Sequence, residues 1–305
     1  MTAEVPARAV PGMRGPDTGA MDSGRKRDGS RSSLVWDVLA EVIAARAAQS
    51  GRTALDVVDV GAGTGGFAVG IAGLGHRVTV VDPSPDALAA ARWRAGEAGV
   101  TLTEVQGEAV DLPDLVGEPG AGADKSGADL VICHNVLEYV DSPSAALAAI
   151  ARVLRPGGTV SVLAANTVAA VLQRALAGKY AEARAMLPGP SSPVSSSPVS
   201  SSPVSSSPEP SVAGASAVRR FTLPELTALI EGAGLRAGEA HGIRIFSSLL
   251  PGAGADPATA DALRELEEAA ATCPPLRDIA TRLHVLGSRP PGNDPPYPGS
   301  RPPGG

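Results

Sequence analysis

The chain has 305 residues, a formal net charge of −6 and two cysteines, Cys133 and Cys273. The negative charge excludes a global basic field that would draw the protein to nucleic acid, although local basic patches remain possible. Two cysteines cannot build a disulfide framework, and no uninterrupted apolar run approaches the roughly 18 residues that span a bilayer. These features predict a cytoplasmic protein with no membrane partner and no expected DNA partner.

Composition predicts one folded domain, residues 32–287, interrupted by one low-complexity insert. Residues 1–31 are rich in Pro, Gly, Arg and Asp and are predicted to be disordered, and residues 288–305 form a Pro/Gly-rich tail. Residues 188–217 include PVSSS three times at a period of five. Such a segment cannot bury an apolar core, and we therefore expect it to be a disordered excursion from the domain surface.

The chain is organised around residues 57–66, VVDVGAGTGG, which predict a buried strand followed by a glycine-rich turn and a helix over residues 67–74. Glycines at such a turn let the backbone approach a ligand, and the helix start favours a negatively charged group. The next strand, over residues 76–82, ends at Asp82, which lies 21 residues after Gly61. A carboxylate at that place can accept hydrogen bonds from both hydroxyls of a ribose. The unit therefore predicts a site for a nucleoside-containing cofactor.

Asp59 decides between two kinds of cofactor. The glycine spacing fits both the dinucleotide fingerprint and a Gly-x-Gly-x-Gly turn, so an NAD(P)-dependent oxidoreductase remains an alternative. A carboxylate two residues before the first glycine repels a pyrophosphate but suits the ammonium of an amino acid. The stretch DVGAGTG resembles the first motif of class I S-adenosylmethionine (SAM) methyltransferases. That resemblance implies SAM as the cofactor, with its amino-acid end against Asp59 and the turn residues Gly61, Ala62, Gly63 and Gly65.

The remaining pattern predicts alternating helices and strands. Helices are expected from Leu34 onward and over residues 85–98, 145–154, 166–187 with a break at Gly178, 222–232 and 261–271. Strands are expected over residues 100–106, 128–133, 159–164, 235–245 and 281–286. With the two strands of the glycine-turn unit, this makes a doubly wound, seven-stranded, mostly parallel sheet of the Rossmann-like class I methyltransferase kind. The last strand is expected to be antiparallel.

Three further segments resemble parts of class I methyltransferases. ADLVICHNVLEYV is similar to the fourth strand and the residues after it, where the position of His134 covers the cofactor near its reactive sulfonium. The resemblance implies that Glu108, Ala109 and Val110 contact the adenine. LRPGG, before the fifth strand, has a structural role in ending a helix and reversing the chain.

A closer resemblance extends from about residue 31 to residue 285. The segments HNVLEYVDSP, LRPGG, NTV, AGKY, GIRIF and RLHV occur in an order similar to the tRNA carboxymethoxyuridine methyltransferases, which esterify the carboxylate of a modified wobble uridine. In that family a residue at the position of Arg31 contacts the cofactor. The chain lacks the family's lysine-rich stretch, where it has the Pro/Ser insert, and has Ala164 and Ala165 where the family has aromatic residues. Both changes remove groups that an RNA surface uses, so the methyl acceptor is open between tRNA and a small-molecule acid.

A carboxylate acceptor is already ionised at neutral pH and needs no general base. It does need a cation to hold it, and the candidates for positioning the acceptor are Arg244, Arg282 and Asn166. Two other readings remain open. The protein could methylate another small metabolite at a hydroxyl or amine, or it could bind SAM without catalysis. No metal-ligand cluster is evident in the sequence.

Overall fold

A computed structural model describes residues 33–120, 127–187, 218–249 and 257–291. In these residues seven strands form one sheet in the order β3-β2-β1-β4-β5-β7-β6. The strands are β1 Asp56–Val60, β2 Arg77–Asp82, β3 Thr103–Gln106, β4 Ala128–His134, β5 Leu154–Ala165, β6 Arg236–Ile243 and β7 Arg282–Ser288. The first five strands pair in parallel, and β7 runs antiparallel between β5 and β6. The predicted sheet and its antiparallel last strand are confirmed.

Helices cover both faces of this sheet. They are α1 Ser33–Ser50, α2 Gly66–Gly73, α3 Pro85–Glu97, α4 Leu112–Val116, α5 Pro143–Val153, α6 Thr167–Leu176, α7 Tyr180–Ala185, α8 Leu223–Gly232 and α9 Pro257–Ala270. Leu39 of α1 and Ile71 of α2 are buried in the core on one face, whereas Ile150 of α5 and Ile230 of α8 are buried on the other. The central strand β4 is buried along its whole length because helices lie on both sides of it.

Local sequence sets the helix starts. Ser84, Ser142 and Thr222 each accept a hydrogen bond from a backbone N–H in the first turn of α3, α5 and α8. Each is followed by a proline in the first turn, where the missing N–H is no loss. Thr222 and Glu225 form a reciprocal capping box. These caps confirm the helix starts predicted at Ser84 and Thr222.

The LRPGG segment differs from the prediction of a simple turn before the fifth strand. β5 already begins at Leu154, and the pairing with β4 shifts register between Ala128 and Leu130. Gly157, at φ +72°, absorbs the irregularity inside the strand. The segment is therefore a bulged strand entry rather than a separate turn. Elsewhere, β3 begins at Thr103 rather than at residue 100, and residues 100–102 belong to the connection between α3 and the sheet.

Phe221 is the residue at which the chain returns to the sheet after residues 188–217. Its N–H donates to the Ala165 carbonyl at 2.9 Å, and its carbonyl accepts from the Thr167 N–H at 3.0 Å. It forms an isolated parallel bridge with Asn166. The chain before and after residues 188–217 is therefore joined directly at the end of β5.

A buried ion network closes the amino-terminal edge of the sheet. The Asp129 carboxylate is fully buried and accepts hydrogen bonds from Arg46, Arg52, Arg155 and the Asp56 N–H. Asp129 thereby ties α1, β1 and β5 to β4 at the edge opposite the glycine turn. Among the residues described above, no helix is long and apolar enough to cross a membrane. The expected cytoplasmic location stays a prediction.

Candidate functional site

The glycine-rich turn lies at the carboxyl end of β1, as predicted. The Gly61 N–H donates to the Val81 carbonyl at 2.7 Å, which fixes the start of the turn beside β2. Gly63 has φ +52°, and a Cβ atom built on it would meet no protein atom within 4 Å. Gly65 lies at φ +73° where α2 begins, and Ala62 accepts a hydrogen bond from its N–H. The turn therefore exposes backbone to open space at Gly63, as a ligand cradle requires.

Two carboxyl groups lie beside this turn. The Asp82 carboxylate accepts from the Gly63 N–H at 3.1 Å and from the Ser84 N–H at 2.9 Å. Asp59 is buried, and this burial raises the pKa of its carboxyl to about 7, with a further rise from the negative charge of Asp82. A buried carboxyl without a cationic partner is costly when ionised, and a bound cation would relieve that cost. The pair therefore suits a positively charged ligand.

The segment after β4 packs over the turn. A Cβ atom on Gly61 would lie 2.5 Å from Cγ2 of Val136, so the Val136 side chain rests directly on that glycine. Asn135 has φ +57°, and its N–H donates to the Leu163 carbonyl at 2.7 Å. Left-handed backbone outside glycine carries strain that is often retained at binding sites. Sequence reasoning did not select Asn135, because a backbone angle leaves no signal in a single sequence.

The expected adenine contacts follow β3 at the same edge of the sheet. Glu108 and Val110 are exposed, whereas Ala109 is buried and begins a short 3-10 helix over Ala109–Asp111. The exposed pair could face a ligand, but the Ala109 side chain faces the core, which leaves only its backbone for recognition. Arg31 lies outside the described residues.

His134 is buried at the end of β4, and its ring is edge-on to Phe67 of α2 at 4.8 Å between centroids. Its Nε2 lies 2.8 Å from Oγ of Ser161. Burial lowers the pKa of the His134 imidazole to about 3. The structure thus places His134 in the wall behind the glycine turn as a neutral ring, with one nitrogen held by β5.

A cavity of about 480 Å³ lies at the end of β5 and is lined by all three candidates for positioning the acceptor. It is lined by Ala165, Asn166, Ala169, Ala170, Gln173, Arg220, Arg244, Ser247, Ser248, Thr281 and Arg282. Three of these residues, Arg220, Arg244 and Arg282, carry a positive charge. Such a concentration of guanidinium groups indicates a site for an anionic group. Sequence reasoning did not select Arg220 as a site residue.

Arg244 combines strain with an unpaired charge. Its φ is +61°, it is exposed, and within the described parts of the chain no acceptor lies within hydrogen-bond distance of its guanidinium. The loop after it is held by Glu267 of α9, whose carboxylate accepts from the N–H groups of Ile245, Phe246 and Ser247 at 2.7 to 2.9 Å. Glu267 therefore fixes the loop that presents Arg244 to the cavity.

Arg282 and Asn166 are more engaged than Arg244. Nη1 of Arg282 lies 3.4 Å from Oε1 of Glu138, a buried carboxylate that also accepts from the Ala165 N–H at 2.7 Å. Burial raises the pKa of Glu138, and its second oxygen has no partner. The Asn166 amide donates to the Asp278 and Ala280 carbonyls and accepts from the Val168 N–H. Asn166 thus caps α6 and supports the cavity wall. Both N–H groups of its amide are already used in these hydrogen bonds, so they are not available to hold the methyl acceptor.

Comparison with known proteins shows which domain this region resembles. Residues 58–160 match the model of the family described as methyltransferase domain. This region includes the glycine turn, both carboxyl groups and the end of β4. Residues 58–160 are therefore similar to a methyltransferase domain.

Two relatives illustrate the range of similar proteins. The tRNA 5-carboxymethoxyuridine methyltransferase of Escherichia coli strain K12 is 29% identical over 160 residues, which are 52% of this chain and 57% of that protein. The ubiquinone biosynthesis O-methyltransferase of Xanthomonas campestris pv. campestris strain B100 is 33% identical over 150 residues, which are 49% of this chain and 58% of that protein. The chain thus spans a little over half the length of these relatives. A solved structure of a sarcosine dimethylglycine methyltransferase homologue from Galdieria sulphuraria is 15% identical, with a TM-score of 0.46 over 82% of this chain and 84% of that one.

Proposed function

We propose that the protein is a SAM-dependent methyltransferase whose acceptor carries a carboxylate. The observation that carries this proposal is the cavity at the end of β5, which Arg220, Arg244 and Arg282 line. This cavity lies at the same edge of the sheet as the glycine turn, one strand away from the end of β4. An anionic acceptor held there is close to the crevice in which the methyl donor is expected.

The residues at the glycine turn fit SAM. Asp59 is a buried carboxyl with no cationic partner among the described residues, and the ammonium and sulfonium of SAM are cationic. The Asp82 carboxylate is positioned to take ribose hydroxyls, and Gly63 leaves space for close approach. When bound, the cofactor supplies an activated methyl group on its sulfonium. Asp59 favours SAM over a dinucleotide, because a carboxylate two residues before the first glycine would repel a pyrophosphate.

The protein's part in the reaction is alignment and exclusion of water. A carboxylate acceptor is ionised at neutral pH, and no side chain has to remove a proton from it. Arg244 can hold the acid through paired N–H donors, with Arg220 and Arg282 adding positive charge. Orientation of the acceptor toward the methyl group then supplies most of the acceleration.

Two acceptors share this chemistry, a carboxylated nucleoside in tRNA and a small-molecule acid. The nearby cations of the α6–α7 region favour the small acid. Arg174 and Lys179 lie 3.5 and 3.4 Å from the two carboxylate oxygens of Glu182, so this carboxylate reduces the net charge of the cluster from +2 to +1. An RNA surface needs uncompensated charge to neutralise phosphates.

Transfer of labelled methyl from SAM into a fractionated lysate of source cells lacking the gene tests this proposal. We expect label that is released by mild alkali, as a methyl ester is, and that disappears with Arg244→Ala. Alkali-labile label in small molecules supports a small-molecule acid as the acceptor. Alkali-labile label in RNA shows that the acceptor is an RNA carboxylate and overturns the small-molecule acid. Label that resists alkali refutes the carboxylate, and absence of any SAM-dependent label refutes the methyltransferase.

A further inference from the structure

A row of buried polar side chains crosses the sheet from the wall of the cofactor crevice to its edge strand. Oγ of Ser161 on β5 lies between Nε2 of His134 at 2.8 Å and Nε2 of His284 at 2.7 Å. His241 on β6 stacks against His284 with ring centroids 5.6 Å apart. All four residues are buried, and Nδ1 of each histidine is buried without a hydrogen-bond partner. The residues proposed to bind cofactor and acceptor do not account for this row.

The geometry around Ser161 restricts where the protons can be. A serine hydroxyl has one proton to donate, and in the described parts of the chain the two Nε2 atoms are the only partners of the Ser161 hydroxyl, so it donates to one of them and not to both. The other Nε2 can form a hydrogen bond only if it carries a proton and donates to the serine oxygen. Each neutral imidazole has one protonated nitrogen, so the ring that donates through Nε2 has a bare Nδ1 and the other ring has a protonated Nδ1.

We propose that Ser161 forces opposite neutral tautomers on His134 and His284, and that His284 is thereby a positioning residue for His134. The crevice end of the row is His134, which contacts Phe67 just after the glycine turn and precedes Asn135. Its Nδ1 is an acceptor in one arrangement and a donor in the other. A change in the surroundings of the His134 ring that favours one of its tautomers would therefore change the tautomers of both rings together.

Burial supports the neutral state that the argument requires. The pKa of His134 is lowered to about 3, and that of His284 is lowered well below its ordinary value, in both cases chiefly by burial. The neighbouring imidazoles disfavour a positive charge on His284 further. Both rings are neutral at physiological pH, so tautomers rather than charges distinguish them.

Nitrogen-15 NMR of the imidazoles in the full-length protein tests the proposal, because protonated and bare ring nitrogens resonate far apart. The chain has four histidines. The fourth, His76, is an internal reference, since its Nδ1 accepts the Leu55 N–H at 3.3 Å and its neutral ring must carry the proton on Nε2. We expect the protonated nitrogen to be Nε2 in one of His134 and His284 and Nδ1 in the other. Identical tautomers, or a doubly protonated ring, would overturn the proposal.

Two variants locate the coupling. Ser161→Ala should remove the requirement for opposite tautomers and leave both rings as tautomer mixtures. The matched change His241→Gln should leave the opposite tautomers of His134 and His284 intact, because His241 makes no hydrogen bond to Ser161. If the opposite tautomers of His134 and His284 persist in Ser161→Ala, or are lost in His241→Gln, the role assigned to the serine is contradicted. If either variant fails to fold, the wild-type spectrum still decides.

Addition of S-adenosylhomocysteine tests the link to the crevice, a part that rests on the proposed function. We expect the signals of His134 and His284 to shift together while His76 stays unchanged. A shift of His134 without His284 refutes the coupling, and binding without either shift refutes the contact with the crevice. If calorimetry detects no binding of S-adenosylhomocysteine, the proposed function is contradicted instead. The spectrum of the ligand-free protein then tests the tautomer proposal by itself.

Discussion

The substitution Gly63→Ala distinguishes an effect on cofactor affinity from an effect on the stability of the fold. Gly63 lies at φ +52°, and an added Cβ atom meets no protein atom within 4 Å. The substitution therefore causes no clash inside the protein, and its cost to folding is the left-handed backbone alone. The space that the methyl group fills lies beside the backbone that contacts Asp82, where we expect the cofactor.

Gly51→Ala is the matched control. Gly51 follows α1, has φ +64° and also has no atom within 4 Å of a built Cβ, but it lies before the amino end of β1, whereas the turn follows the carboxyl end of that strand. A non-glycine residue in this conformation costs roughly 1–2 kcal/mol, so both variants should lose a similar amount of stability. Only Gly63→Ala should also lose cofactor affinity, by at least about tenfold, or ~1.4 kcal/mol.

Urea unfolding measures the first quantity, and calorimetric titration with S-adenosylhomocysteine measures the second. Equal affinity in the two variants would refute the placement of the cofactor against Gly63. A much larger loss of stability in Gly63→Ala than in Gly51→Ala would show instead that the turn itself is more crowded than the structure indicates.

The other predictions concern pH, the ion network and the acceptor. Burial raises the pKa of Asp59 to about 7, so the folded state keeps a proton that the unfolded state releases, and the ligand-free protein should lose stability as pH rises from about 4 to about 7. Asp59→Asn should flatten that slope in denaturant titrations at several pH values. Asp129→Asn removes a fully buried carboxylate from three arginines and should cost about 3 kcal/mol in urea unfolding. Glu118→Gln, at an exposed pair, should cost far less, and equal losses would contradict the importance of burial. Arg244→Ala should raise the KM of a carboxylate acceptor about 10- to 100-fold, the equivalent of a charged hydrogen bond, with kcat and SAM affinity little changed. Glu267→Gln should raise the same KM by less, and a rise in the KM of SAM in either variant would point to general damage.

The sheet and the cofactor half of the site could be predicted because their signals are local. The VVDVGAGTGG stretch contains a strand, its turn and the start of a helix within ten residues, and the acid at Asp82 follows at the next strand end. Each of these features depends on backbone conformation and apolar periodicity, which neighbouring residues determine.

The rest of the site depends on contacts between distant segments. Asn166 was selected as a candidate for positioning the methyl acceptor, but its side-chain amide donates to carbonyls more than 110 residues away. Ser161 lies midway along β5, and only the pairing of β4, β5 and β7 shows that two histidines reach it. Register between non-adjacent strands is not written in any local pattern, and a single sequence therefore could not reveal it.

The bridge at Phe221 has a consequence for how this protein can vary. Because Ala165 and Thr167 bond directly to Phe221, the chain re-enters at one place whatever number of residues separates positions 187 and 218. Loop-closure entropy grows only logarithmically, so doubling such a connection costs about 0.6 kcal/mol. The cavity lined by Arg220, Arg244 and Arg282 draws on residues from both sides of this junction, and the bridge joins the two sides directly. The PVSSS stretch can therefore be lengthened, shortened or recoded over evolutionary time without altering the chemistry beside it.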